Sequence, residues 1–135
     1  MSILLIAEHD NSNLKVFTLN AITAASKIDN EVHVLVAGSK CENVAKEVAA
    51  ISLVKKVLYS DSESYENFLA ENLTPLIVKS SNPYSHIIAS ANTFGKNFMP
   101  RVAALLDVSQ VSDVIKINSD EEFLRPIYAG NAFAT

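Results

Sequence analysis

Four times along this chain a short apolar run gives way to a segment with helical spacing, and that alternation limits the folds open to it. Ile3 to Ala7 is unbroken by any polar residue. Such a run suits a strand covered on both faces, as in a parallel sheet. Val32 to Ala37, closed by Gly38, reads as a second strand and His86 to Ala89 as a fourth. The third, Val54 to Tyr59, is more alternating, which places it nearer a sheet edge. Between them, Leu14, Phe17, Ala21, Ala24, Ala25 and Ile28 recur at helical spacing, as do Val44, Val48 and Ile51. A short helix and a longer one are expected between Ser62 and Ser81. Thr74-Pro75 reads as N-cap and first helical position of the longer one, and Asn82-Pro83 as its end. Phe94, Phe98, Val102, Leu105 and Leu106 form the stripe of a fourth helix, kinked by Pro100.

The last segment changes character. Val111 to Ile117 and Phe123 to Tyr128 are two strands with no helix between them. An antiparallel pair added at the sheet edge is the simplest account. The fold expected is therefore α/β: a Rossmann-like (adenine-nucleotide alpha-hydrolase-like) three-layer fold, with a mainly parallel sheet and right-handed crossovers. A length of 135 residues suits one domain, residues 1–135. Phe123 to Thr135 stops amid apolar residues without a polar tail, so the natural chain is expected to continue.

Composition excludes several functions. Lys and Arg are scattered in a chain of net charge −4, which argues against nucleic acid as a partner. The opening apolar run is too short for a membrane span and lacks the flanks of a signal or transit peptide. One cysteine, Cys41, can close no internal disulfide and fits a reducing, cytoplasmic setting. Gly38, Gly95 and Gly130 are too far apart for a dinucleotide fingerprint or a Walker loop. His9, His33 and His86 form no metal-binding motif, and no nucleophile elbow is present.

Candidate residues are few. Glu8 and His9 lie at the carboxyl end of the first strand, where α/β folds place ligands. His33, amid valines, suits a packed or edge position, and His86 a capping or surface one. Cys41 opens a helix whose dipole could lower its pKa, although a buried, inert thiol is the better expectation. Lys55-Lys56 and Glu121-Glu122 read as solvated faces. Ser90-Ala91-Asn92-Thr93-Phe94-Gly95-Lys96-Asn97 could cradle a phosphate at a helix N-terminus; a capped helix start is the plainer reading.

The stretch Tyr84-Ser85-His86-Ile87-Ile88, Thr93-Phe94-Gly95-Lys96-Asn97 and Pro100 to Val108 resembles the alpha subunits of electron transfer flavoproteins. Leu5 to His9, Val34 to Gly38 and Arg125 to Ala132 match that family too. The resemblance implies the N-terminal domain of an alpha–beta heterodimer carrying one FAD. Electrons would come from flavin dehydrogenases, such as the acyl-CoA dehydrogenases of fatty acid beta-oxidation, and pass to a membrane quinone oxidoreductase. The family's FAD ligands lie beyond Thr135, so the resemblance assigns this chain no cofactor-binding, catalytic or metal residue. It implies a scaffold that docks the beta subunit, in the bacterial cytoplasm or the mitochondrial matrix, and an electron-carrier subunit rather than an enzyme. The helix from Phe94 to Val108 and the region from Phe123 to Thr135 are expected to serve packing and subunit contact, with Phe98 and Arg101 as tests. Two rivals remain. One is a free-standing adenine-nucleotide-binding module of the stress-protein type, using Ala7, Glu8 and the loop from Asn92 to Lys96. The other is a response-regulator receiver, for which Glu8 and Asp61 are present but no acidic pair follows the first strand.

Overall fold

A computed structural model describes residues 2–81, 84, 86–90, 93–106, 111–117 and 123–131. The elements run β1 (Ile3–Ile6), α1 (Val16–Ser26), β2 (Val32–Gly38), α2 (Glu42–Ala49), β3 (Val54–Asp61), a short 3-10 turn (Glu63–Tyr65), α3 (Ala70–Ser80), β4 (His86–Ser90), α4 (Thr93–Leu106), β5 (Val111–Ile117) and β6 (Phe123–Asn131). They build one six-stranded sheet in the order β3-β2-β1-β4-β6-β5. The first four strands are parallel, with Ile3 opposite Val32 on one side and His86 on the other. β6 runs antiparallel to β4, pairing Ile87 with Asn131, and β5 antiparallel to β6.

The unbroken apolar run of β1 has a direct physical cause. Ile3 and Leu5 point into a core formed with Ala21, Ile22 and Ala25 of α1 and Val44 and Val48 of α2. Leu4 and Ile6 point the other way, onto Leu73 and Ile77 of α3 and Phe98, Met99 and Val102 of α4. A strand with helices on both faces has no side left for polar residues. β3 is one of the two edge strands, and Lys55 and Lys56 on it are exposed. Strand order 3-2-1-4 is that of a Rossmann half. The flavodoxin-like order 2-1-3-4-5 of a receiver domain differs from it, which removes that rival.

Three local expectations need correction. α3 begins at Ala70, so Thr74 and Pro75 lie inside it rather than at its start. Pro75 removes one helical hydrogen bond, a cost of about 3 kcal/mol in a helix interior. The Thr74 hydroxyl is buried without a partner among the described residues. Full burial of Leu73 and Ile77, one turn apart on the same face, offsets both penalties. In α4, Leu105 is 65% exposed, whereas Met99 and Ala103 are buried beside Phe98 and Val102. The stripe is rotated toward Met99 because α3 and the sheet approach α4 from that side. In α1, Phe17 is half exposed rather than in the core. The expected helix end at Asn82 and Pro83 lies outside the described residues.

Candidate functional site

In a doubly wound sheet the carboxyl edge is where ligands bind, and the turns after β1, β2 and β3 meet there. His9 follows β1 and is buried. The Asn11 backbone N–H donates to its Nδ1 at 2.9 Å, so Nε2 carries the proton and donates to the Ala37 carbonyl, also at 2.9 Å. Burial holds the pKa of this imidazole below its ordinary value, against the opposing pull of the Ala37 carbonyl and Asp10. The ring meets Phe68 edge to face, with centroids 5.0 Å apart. Phe68 in turn meets Phe94, and Phe94 meets Phe98, so an aromatic chain runs from the edge into the core of α4.

Asn11 joins three turns. Its Oδ1 accepts from the Ser39 N–H at 2.9 Å, and its Nδ2 donates to the Glu66 carbonyl at 3.1 Å. Asn11, Lys40 and Phe68 all have positive φ, at 73°, 53° and 54°. Asn tolerates that region; for a bulky phenylalanine it is strained and persists only where the surroundings impose it. Gly38 allows the approach: a Cβ there would strike Asn11 Oδ1 and stand 2.6 Å from His9 Cε1.

A second knot caps α2 from outside. The carboxylate of Asp61, the last residue of β3, accepts from the Lys40 and Cys41 backbone N–H groups at 2.9 and 3.1 Å, and from the Tyr59 hydroxyl at 2.6 Å. These bonds, with the Tyr59 hydroxyl first, hold the Asp61 pKa below the usual carboxylate range, and they push the Tyr59 phenol upward. Cys41 is fully buried, and desolvation, with Asp61 nearby, raises its thiol pKa. The helix dipole therefore does not activate it.

The other candidates lie apart. Glu8 is fixed through its backbone: its N–H donates to Thr18 Oγ1 at 2.8 Å, and Thr18 Oγ1 donates to its carbonyl at 2.9 Å. His33 faces the opposite, amino edge, held between Glu31 Oε2 at 2.6 Å and the Tyr84 hydroxyl at 2.8 Å. His86 opens β4 and is buried, not exposed. α4 starts at Thr93, so Phe94, Gly95, Lys96 and Asn97 are helical rather than part of a phosphate loop, and Gly95 is buried. Ala91, Asn92, Glu121 and Glu122 lie outside the described residues. Of the two residues named for α4, Phe98 is buried, whereas Arg101 is exposed. Arg101 lines a groove of about 410 Å³ with Glu71, Thr74, Pro75, Ala104 and Leu105.

Sequence reasoning placed His9 correctly at the carboxyl edge but missed the roles of Asn11, Phe68 and Tyr59. Asn11 carried a weak signal, as an asparagine in a polar turn; Phe68 carried none. His9 meets Phe68 edge to face, and His9 and Asn11 both crowd Gly38. Among the described residues no group of His, Cys, Asp and Glu could hold a metal ion. No helix among them is long and apolar enough to cross a membrane.

Comparison with known proteins agrees with this architecture. Residues 3–135 match the family model described as "Electron transfer flavoprotein domain". The chain is 51% identical over 135 residues to an electron transfer flavoprotein subunit alpha of Pseudomonas aeruginosa, covering all of this chain and 44% of that protein. It is 53% identical over 140 residues to a mitochondrial subunit alpha of Dictyostelium discoideum, covering 98% of this chain and 39% of that protein. A mitochondrial subunit alpha of Arabidopsis thaliana is 42% identical over 142 residues. The chain thus spans less than half the length of the curated relatives it matches.

Proposed function

The chain belongs to the electron transfer flavoprotein domain family, and from that membership we propose that it is the scaffold and subunit-docking domain of an alpha subunit. One observation carries this reading. The turns after β1, β2 and β3 are tied to one another by their own side chains: Asn11 bonds across to Ser39 and Glu66, and His9 bonds to Ala37, which supports a positioning role for this end of the sheet. A site built for positioning needs no acid, base or nucleophile, and the buried, high-pKa Cys41 supplies none. The FAD that makes the holoprotein an electron carrier is assigned to the part of the subunit outside these residues. No step of electron transfer is assigned to side chains of this chain.

The companion in this reading is a beta subunit, since the relatives are named as one subunit of a larger assembly. Flavin dehydrogenases of the acyl-CoA type would donate electrons, and a quinone oxidoreductase of the respiratory chain would accept them. The setting would be the cytoplasm of a bacterium or a mitochondrial matrix. The test is calorimetric titration of the domain with AMP, ATP and FAD, beside light scattering with the beta subunit. A one-to-one complex with the subunit and no heat from nucleotides is expected. Micromolar nucleotide binding would instead establish the adenine-nucleotide module.

A further inference from the structure

The loop from His9 to Leu14 is bonded within itself and fastened to the rest of the fold at few points. At its base the Glu8 carbonyl accepts from the Lys15 N–H at 3.0 Å and from Thr18 Oγ1 at 2.9 Å. Inside it the Asp10 carboxylate accepts from the Ser12 and Asn13 N–H groups at 2.9 and 2.6 Å, and the Asp10 N–H donates to the Asn13 carbonyl at 3.2 Å. The bonds that leave the loop come from His9 to Ala37 and from Asn11 to Ser39 and Glu66, with the Leu14 N–H reaching Glu47 of α2 at 3.3 Å.

His9 governs whether those bonds hold. A proton on Nδ1 sets an N–H against the Asn11 N–H, donor facing donor. The Asn11 backbone that must then move carries both side-chain ties, to Ser39 and to Glu66. Burial opposes the charged ring in the closed loop, whereas water accepts it in an open one. Asp10, on the same loop, favours the protonated ring, but it is exposed and already holds Ser12 and Asn13. β2 presents the Ala37 carbonyl and Gly38 to the ring, the segment before α3 presents the Phe68 side chain, and α1 has no charged residue. Glu8, Lys40, Glu47 and Glu66 stand at the borders of the loop. Phe68, strained at a φ of 54°, is packed on the imidazole and loses that support when the ring leaves.

The neighbouring turns have a tie that mild acid leaves intact. The Asp61 carboxylate, held below the usual range, keeps the Lys40 and Cys41 N–H groups, and the Ser62 N–H donates to the Gly38 carbonyl at 2.9 Å. The turns after β2 and β3 therefore stay joined to each other when the His9 loop lets go. We propose that residues 9–14 are an acid-released latch: proton uptake by His9 swings this loop off the carboxyl edge as one unit, baring the Ala37 carbonyl and the Ser39 N–H, while the sheet and the Asp61 knot stay closed.

The test is amide hydrogen exchange, followed by NMR on the full-length subunit at pH 7.5 and 5.5, with the intrinsic chemical rates divided out. The Asn11 and Ser39 amides should share one opening constant that low urea leaves unchanged. With an ordinary value of 6.5 in the open loop, that constant should rise severalfold, and by at most about tenfold, on acidification. The Lys40 and Cys41 amides, next in sequence but bound to Asp61, should open at least about tenfold less often. In His9→Gln the opening constant should be the same at both pH values. Asn11→Gly tolerates the positive φ and keeps the backbone bond to His9, so the amide at position 11 should remain pH-dependent while that of Ser39 becomes fast at both pH values. The latch is overturned if Ser39 opens in step with Lys40 and Cys41, if its opening follows urea as the centre of β1 does, or if the wild type shows no rise at pH 5.5. A rise that persists in His9→Gln also overturns it, since another group would then be the trigger.

Discussion

The backbone N–H of Asn11 donates to Nδ1 of His9, two residues before it, at 2.9 Å. That single bond fixes the imidazole as its Nε2–H tautomer, and Nε2–H then holds the Ala37 carbonyl at the end of β2. The neutral ring thus joins two strand ends, and protonation at Nδ1 would break the link to Asn11. Burial lowers the pKa of His9 from 6.5. Between its folded pKa and 6.5 the unfolded chain binds more protons, so stability rises with pH through that window and falls as pH drops below about 6.5. Urea midpoints measured from pH 7.5 down to 5 should decline, and the variant His9→Gln should show a flatter decline from a lower starting stability.

Gly38 tests the closeness of the same packing. Its φ is not positive, so alanine costs nothing in backbone conformation. The cost is space, since the new Cβ would stand 2.6 Å from His9 Cε1 and strike Asn11 Oδ1. Gly38→Ala should destabilise by about 1–3 kcal/mol in urea unfolding, the range for overpacking. A stabilised variant would show that His9 and Asn11 are not held where the structure places them.

Two residues on α4 should separate core from surface. Phe98 is fully buried and meets Phe94 edge to face. Phe98→Ala should cost about 3–5 kcal/mol of stability. Leu105→Ala, two turns further along where the side chain is largely exposed, should stay within about 0.5 kcal/mol. Loss of subunit assembly on changing Phe98 would therefore report unfolding, not a lost contact.

Asp61 should titrate well below an ordinary aspartate, because it accepts from Tyr59, Lys40 and Cys41 together. Tyr59→Phe removes the first of these. Its carboxyl resonance, followed by NMR, should titrate at higher pH than in the wild type. It should still fall short of an unperturbed aspartate, since both backbone donors remain.

Cys41 should resist thiol reagents. It is buried and its pKa is raised from 9.0 by desolvation and by Asp61. Reaction with a disulfide reagent at pH 8 should be far slower than for a free thiol and should accelerate in urea in step with unfolding. Fast reaction of the native chain would mean that the Asp61 knot opens readily.

The layered fold was legible because burial on both faces writes an unbroken apolar run at Ile3 to Ala7, and an edge position writes alternation at β3. Thr74-Pro75 misled because local proline rules gave way to the burial of Leu73 and Ile77. Leu105 misled because periodicity gives the spacing of a stripe but not its phase; the position of α3 sets that. The site was legible only where it depends on chain order, as His9 does by following β1. Asn11 takes its role from Ser39, 28 residues away, and Glu66, 55 residues away. The positive φ of Phe68 is likewise imposed by tertiary packing, so no local pattern announces either.

The placing of β1 between β2 and β4 bears on how the chain is made. Ile3 to Ile6 pairs with β2 about thirty residues later, but its other flank waits for His86 to Ile88. During synthesis from the amino end, β1 to β3 can assemble while one side of the most apolar strand has no neighbour. Such a bare edge is open to pairing with another nascent chain. Leu4 and Ile6 also lack their α3 and α4 cover until residue 106 has been made. The same central position that shields β1 in the finished domain leaves one side of it waiting for β4, and a ribosome that stalls before residue 86 would leave that side exposed.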